Sequence, residues 1–309
     1  MARRSGAEGP QGLVVIDKEA GWTSHDVVAK LRGLLGQKRT GHAGTLDPSA
    51  TGVLLVGLGR STRLLRFLTD TTKTYEGELE LGSTTTTLDA DGEVLEHFDM
   101  DHVGADDVRA RAHELTGDLL QVPPMVSALK VDGQRLHALA RQGIEVERAP
   151  RAVRVDRFDV AATELPRRYS FEVVCSSGTY VRSLVDDLGR SLGGGAHLAV
   201  LRRTGVGAFG LADAHTLGEL SARVEASGGA GDLASVLLSP AEMLRGMPRV
   251  VVDAEGLARV RTGSPLRAAG PSGGHGLVAV VDEDGSLLAV YRHRGEAELV
   301  AEVVLAGAG

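Results

Sequence analysis

The 309-residue chain is short of the features that several protein classes require. It has one cysteine, Cys175, which excludes an internal disulfide and any multi-cysteine zinc site. That residue lies in Phe171-Glu172-Val173-Val174-Cys175, where a buried strand position is expected rather than a reactive thiol. No apolar run approaches the ~18 residues needed to cross a bilayer. Behind Met1-Ala2-Arg3-Arg4-Ser5-Gly6 there is no apolar stretch of signal-peptide length. A cytoplasmic chain with no membrane partner is expected. There is no convincing internal repeat, no cluster with metal-ligand spacing and no glycine-rich phosphate loop.

Positive charge is also in deficit, with a formal net charge of −7. The distribution matters more than the sum, because local patches set the attraction for phosphate. Acids crowd the stretch from Glu76 to Asp118, while bases gather at Lys30 to Arg39, at Arg60, Arg63 and Arg66, and at Arg148, Arg151, Arg154 and Arg157. Solvated surface charge accounts for each patch alone, so charge permits a nucleic-acid partner without establishing one.

Apolar residues make up 42% of the chain, enough for a large core and, at this length, two domains. Gly12 to Asp17 reads as a strand. Thr23 or Ser24 caps a helix with the stripe Val27, Val28, Leu31, Leu34 and Leu35. Residues 53–57 read as a buried strand, Arg60 to Leu68 as a short basic helix, and Lys73 to Gly82 as a half-exposed strand. Ser83 to Asp101 reads as a peripheral loop, and Val108 to Leu115 as a helix. Residues 121–157 are too polar for core and predict an excursion from the body. Phe171 to Cys175 predicts a strand, and Val181, Leu184, Val185, Leu188 and Leu192 share one helix face. Glu225 to Asp232 is a glycine-rich surface loop. From Pro248 onward, short strands and the Asp284-Gly285 turn predict a small β-rich domain that leans on the first.

The most informative stretch is Gly41-His42-Ala43-Gly44-Thr45-Leu46-Asp47-Pro48-Ser49-Ala50-Thr51-Gly52. Asp-Pro is a turn signal, and the glycines allow tight bends and close approach of backbone to a ligand. Asp47 thus sits on a shaped loop ahead of a buried strand. Its residue type and place suit either turn closure on its own backbone or chemistry.

Other stretches accompany it in order: Leu13 to Ser24, Lys73-Thr74-Tyr75, Gln121-Val122-Pro123-Pro124 with Ser127 to Lys130 and Gly133-Gln134-Arg135, Ser177-Gly178-Thr179-Tyr180-Val181-Arg182, and Gly194 to Thr204. Together, over roughly residues 12–210, they resemble the pseudouridine synthases, and within them the bacterial tRNA pseudouridine-55 synthases of the TruB family. Glu19 departs from the pattern, standing where the family usually has proline after the lysine.

The resemblance implies an α+β fold: a mixed, mainly antiparallel central sheet flanked by helices, with a small β-rich, PUA-like C-terminal domain. The implied division is a flexible tail at 1–10, a catalytic domain at 11–247 with an RNA-gripping insert at 121–157, and an RNA-binding domain at 248–309. The implied activity is isomerisation of uridine 55 in the tRNA T-loop to pseudouridine, accompanied by tRNA folding. The competing reading is a non-catalytic RNA-folding module. Isomerisation is redox-neutral and needs neither cofactor nor metal.

Asp47 is implied as the nucleophile acting on a flipped-out uridine, through C1′, C6 or a glycal. Arg182 is about 100° from Val181 on a helix, off the apolar stripe and free to reach Asp47. An adjacent cation favours a charged carboxylate. Tyr75 would stack on the uracil and relay the C5 proton, with Tyr180 and Leu201 as pocket wall. His42, Lys18, Lys130 and Arg141 complete the implied RNA contacts. The resemblance further implies a monomer that needs no protein partner and no guide RNA.

Overall fold

The computed structural model describes residues 9–127, 130–131, 134–136, 144, 146–227, 233, 235–267, 276–295 and 298–305. Of the glycine-rich loop expected at 225–232, residues 225–227 instead end a helix, and residues 228–232 lie outside the described set, as do residues 1–8 of the tail. Pro10 is described, and its carbonyl accepts from Gln37 Nε2 at 3.1 Å.

The run Gly12–Lys18 forms β1, paired antiparallel along its whole length with β3 (Thr51–Leu58), from Gly12↔Leu58 to Lys18↔Gly52. Between them lie α1 (Ser24–Leu35), which turns Val27, Val28, Leu31 and Leu35 into the core, and β2 (Thr40–Ala43). The second edge of β3 is shared. β2 takes residues 55–58, and β12 (Ala196–Val206) takes Thr51 and Gly52, in parallel. The Asp47 loop, which joins β2 to β3, therefore leaves the sheet at the fork between β2 and β12.

Beyond β12 follow β4 (Lys73–Leu81), β11 (Arg168–Cys175), β10 (Arg151–Ala162) and β7 (Gly117–Gln121), all antiparallel. The order is β1-β3-β12-β4-β11-β10-β7, with β13 (Phe209–Gly210) attached to β12. Alternation decides which face is covered. Tyr75, Leu79 and Leu81 of β4 and Tyr169, Phe171 and Val173 of β11 are buried, while the glutamates between them are not. The helices α3 (Ala105–Glu114) and α4 (Val181–Ser191) contribute Val108, Ala112, Leu184 and Leu188 to the same core. A mixed, mainly antiparallel sheet with flanking helices is what the resemblance implies.

Three stretches differ from expectation. Residues 151–157 form the first half of β10 instead of the end of an insert. Val153 and Val155 are buried, while Arg151, Arg154 and Arg157 face solvent. A bulge between Val155 and Arg157 then shifts the alternation, so that Phe158 and Val160 continue the buried face. The basic stretch from Arg60 splits into a 3-10 turn (Gly59–Leu64) and a four-residue α2 (Arg66–Thr69), although Leu64, Leu65 and Leu68 do point inward. The acidic stretch holds a small hairpin, β5 (Ser83–Thr85) with β6 (Val94–His97). Two further helices are α5 (Leu217–Ser227) and α6 (Pro240–Met243).

The C-terminal sheet has the order β14 (Arg249–Val251), β16 (Leu277–Val281), β17 (Leu287–Arg294), β18 (Glu298–Val304) and β15 (Leu266–Arg267). The helix α7 (Ala254–Arg261) packs Val260 onto it. The turn at Asp284-Gly285 closes through Gly285 N–H to Asp282 O at 3.0 Å, with Gly285 at φ +81°. Ala279, Val281, Leu287 and Val290 share one apolar cluster with Leu13, Val15, Val53 and Leu55 of the first sheet. Arg63 donates to Val304 O at 2.8 Å, and Arg66 pairs with Glu302 at 3.2 Å, so charge rims this contact.

Candidate active site

The Asp47 loop is held at almost every residue except Asp47. Gly44 stands at φ +78°, a conformation that suits glycine, and its carbonyl accepts from Arg203 Nη2 at 2.9 Å. Ser24, the first residue of α1, receives the Leu46 N–H at 3.0 Å and donates its hydroxyl to Leu46 O at 3.2 Å. Pro48 O accepts from the Gly21 N–H at 2.9 Å and from Lys18 Nζ at 3.1 Å. With its neighbours fixed, Asp47 directs its side chain to Arg182 Nη2 at 2.8 Å.

Arg182 is the second residue of α4, and its side chain is only 5% exposed. It is buried although it lies off the apolar stripe, because the acidic stretch folds over it. Nη1 donates to Thr87 O at 2.8 Å and Nη2 to Val126 O at 2.9 Å, and Asp89 Oδ2 stands 3.5 Å from Nη1. The segment bearing Asp89 is hooked onto the start of β12 by Ala90 N–H to Leu198 O and Leu198 N–H to Leu88 O. Burial pushes the Asp89 carboxyl above its ordinary range, against the pull of Thr87 and Arg182.

Asp47 and Arg182 open onto a cavity of about 300 Å³. Its floor includes Tyr75, which is buried, and Leu201; its wall includes Tyr180 and the turn Ser176 to Thr179. Desolvation raises the Tyr75 phenol, and the Arg203 guanidinium pulls the other way. Tyr180 is fixed by Gln121, whose amide accepts its N–H at 2.7 Å and donates to its carbonyl at 3.1 Å. Lys73, two residues before Tyr75 on the same face, also lines the space. Burial lowers its ammonium to about 8, and Nζ donates to Thr69 O and Thr71 O.

The structure thus brings together Asp47, Tyr75, Arg182, Tyr180 and Leu201 around one cavity. Two expected RNA contacts are placed elsewhere. Lys18 is buried, and its three donors go to Glu19 O, Trp22 O and Pro48 O, so it braces the loop instead of facing the cavity. His42 lies on β2, packed edge-on against His25 at 5.3 Å, outside the cavity lining. Burial lowers its pKa, and Nδ1 has no hydrogen-bond partner among the described residues. Lys130 belongs to the short strand β8 (Lys130–Val131), paired with β9 (Gln134–Arg135); Arg141 lies outside the described residues. Sequence reasoning did not single out Asp89, Gln121 or Arg203 as site residues. The available signal for Arg203 was its place two residues after Leu201 on a strand, hence on the same face.

Comparison with known proteins identifies the family. Residues 32–181 match the N-terminal domain of TruB family pseudouridylate synthases, and residues 182–244 match the tRNA pseudouridylate synthase B C-terminal domain. The chain belongs to the TruB family. As a pseudouridylate synthase of that family it is an isomerase. It is 45% identical to the tRNA pseudouridine synthase B of Mycobacteroides abscessus, across 92% of this chain and 93% of the relative. The Rhodococcus jostii protein of the same name is 47% identical, across 92% and 90%. The Thermobifida fusca protein is 45% identical, across 96% and 99%. Among solved structures, a chain of a Cbf5-Nop10-Gar1 complex is 27% identical with a TM-score of 0.75, across 94% of this chain and 83% of that one. A chain of an H/ACA RNP bound to a substrate RNA shares the fold, with a TM-score of 0.73 across 96% and 85%.

Proposed function

We propose that this chain converts uridine 55 in the T-loop of tRNA to pseudouridine, with Asp47 as the nucleophile and the target uridine flipped out of its stack into the cavity. The observation that carries this reading is the Asp47–Arg182 ion pair at the mouth of the space lined by Tyr75, Tyr180 and Leu201. The volume, about 300 Å³, lies at the lower end of the ~300–1,000 Å³ typical of small-ligand sites. It suits one everted nucleoside and excludes a stacked pair, so the base has to leave its helix to meet Asp47.

In this reading Arg182 holds the carboxylate toward the ribose and base. Tyr75 lies under the uracil ring and takes the C5 proton after the base has turned. Leu201 and Tyr180 confine that turn. N1–C1′ breaks, C5–C1′ forms, any bond made to Asp47 is broken again, and the proton lost from C5 is matched by one gained at N1, so no donor or oxidant is consumed. Residues 11–247 supply this chemistry, the part of the 121–157 insert before β10 grips the stem-loop, and 248–309 adds affinity. The names of the close relatives support tRNA as the substrate. In this reading it is acted on without guide RNA or protein partner.

The test is pseudouridine formation on an unmodified tRNA transcript, mapped by position, with binding measured in parallel. Wild type is expected to modify position 55. Asp47→Asn is expected to bind the transcript and form no product. Product at another uridine would overturn the site assignment, and a folded wild type that binds without product would favour an RNA-folding module.

A further inference from the structure

Arg203 is the largest fully buried side chain among the described residues, 1% exposed, and no carboxylate is paired with it there. Its neighbour Arg202 faces the other side of the sheet and pairs with Asp17 at 2.6 Å. Arg203 lies at the centre of the sheet between the two elements that supply the reacting groups. On one side it is directly opposite Tyr75 of β4, and on the other directly opposite Gly52 of β3. Gly52 stands at φ +100°, and a Cβ there would come within 2.2 Å of Arg203 O, so the backbones meet at a separation that only glycine permits.

The guanidinium reaches back from this position to both ends of the Asp47 loop. Nη2 donates to Gly44 O at 2.9 Å, Nη1 approaches Thr45 O at 3.5 Å, and Nε donates to Val53 O at 2.7 Å. The same residue lines the cavity together with Tyr75, its direct neighbour across the sheet. A buried cation with only neutral partners among the described residues is costly to keep, which argues for a task that a neutral residue would not perform. A lysine has one donor centre and cannot span these directions; the planar fork of arginine can.

We propose that Arg203 is a positioning residue, a clamp that ties the entry and exit of the Asp47 loop to Tyr75 so that nucleophile and tyrosine keep one fixed separation. The inference rests on the pseudouridylation reading for its kinetic consequence, while its structural consequence is measurable without it. Arg203→Lys keeps the charge and loses the fork. It is expected to lower kcat by about 100-fold, the effect of a ~1 Å misplacement, and to leave KM within about threefold.

Two signals report the clamp directly. The chain has four tyrosines, so 3-fluorotyrosine labelling gives few fluorine resonances, and Tyr75→Phe identifies that of Tyr75. The single tryptophan, Trp22, shares Lys18 Nζ with Pro48 and reports the loop by its emission. In Arg203→Lys the Tyr75 resonance and the Trp22 emission are expected to move, and the Tyr291 resonance to stay. The double variant Tyr75→Phe/Arg203→Lys is expected to lose less than the product of the single losses. Wild-type kcat with unmoved signals in Arg203→Lys, or fully multiplicative losses in the double variant, would overturn the clamp. Should the lysine variant not fold, Tyr75→Phe alone carries the test: an altered Trp22 emission supports the coupling and an unchanged one overturns it. A wild type that makes no pseudouridine, with the signals still moving in Arg203→Lys, overturns the proposed function and leaves the clamp standing.

Discussion

Arg182 meets two carboxylates, and they differ in what their loss would do. Asp47 is 42% exposed at the cavity mouth and is free to engage a ligand, whereas Asp89 is 12% exposed behind the guanidinium. Removing the cation strands Asp89 together with Thr87 O and Val126 O. Arg182→Met is therefore expected to cost about 3–5 kcal/mol, as for a broken buried pair, readable as a lower urea midpoint, besides abolishing turnover. Lys18 gives a prediction in pH. Burial lowers its pKa from 10.5 to about 8, with the Asp47 charge opposing. Between these values the unfolded chain binds the proton and the folded chain releases it, so folding gains as pH rises. Below about 8 both states are protonated and the gain is absent. The stability of wild type relative to Lys18→Met is expected to be level from pH 6 to about 7 and to grow from about 8 to 9, measured by urea unfolding. Asp47, Tyr75 and Arg182 were legible in the sequence because each sits in a contiguous motif. Asp89 was hidden in an acidic run, and Arg203 acquires its partners only through register with strands far away in the chain.

At the level of elements, the start of α1 does two jobs. Thr23 caps the helix, accepting the Asp26 N–H while Asp26 returns to the Thr23 N–H. Ser24, one residue on, is 1% exposed and holds Leu46 by both backbone groups. Ser24→Ala leaves a buried N–H without its acceptor, at a cost of about 1–3 kcal/mol. It is also expected to lower kcat more than it raises KM, since the loop loses its brace beside Asp47; steady-state kinetics on tRNA checks this. The strands β1, β3 and β4 could be read directly, because their apolar runs or clean alternation survive into the fold. The first half of β10 could not, because three arginines dominate its composition and the bulge at Val155/Arg157 breaks the period. The helix α5 was missed because it buries only Leu217 and Leu220 and presents a weak stripe. The hairpin at 83–97 buries nothing on its second strand, where even Val94 and Leu95 are exposed.

Across the whole molecule, the two sheets share one apolar cluster, so neither covers its own face. The full chain is expected to melt in a single calorimetric transition. A chain ending at residue 247 is expected to melt lower and to scatter light on heating, because Val15, Val53 and Leu55 lose the cover of Ala279, Val281 and Val290. Separate transitions for the two parts would contradict this shared core. The small β-rich end was legible from Leu277 to Tyr291 and its turn, but its dependence on the body was only a guess from size. The contact is made by alternate residues from widely separated strands, which no local pattern announces.

The place of β12 between β3 and β4 has a consequence for synthesis. β3 and β4 are consecutive long strands in the chain, yet they do not pair; each waits for a strand that begins at residue 196. While the ribosome is making the first two-thirds of the protein, the positions that β12 takes on both strands stay unfilled, and the loop carrying Asp47 lacks the arginine at its back. The nascent chain therefore has no finished cavity with which to capture a passing RNA. Closure of that gap, a pairing between residues about 150 positions apart, is expected to be slow compared with local hairpins, and it makes the birth of the site a late event in the life of the molecule.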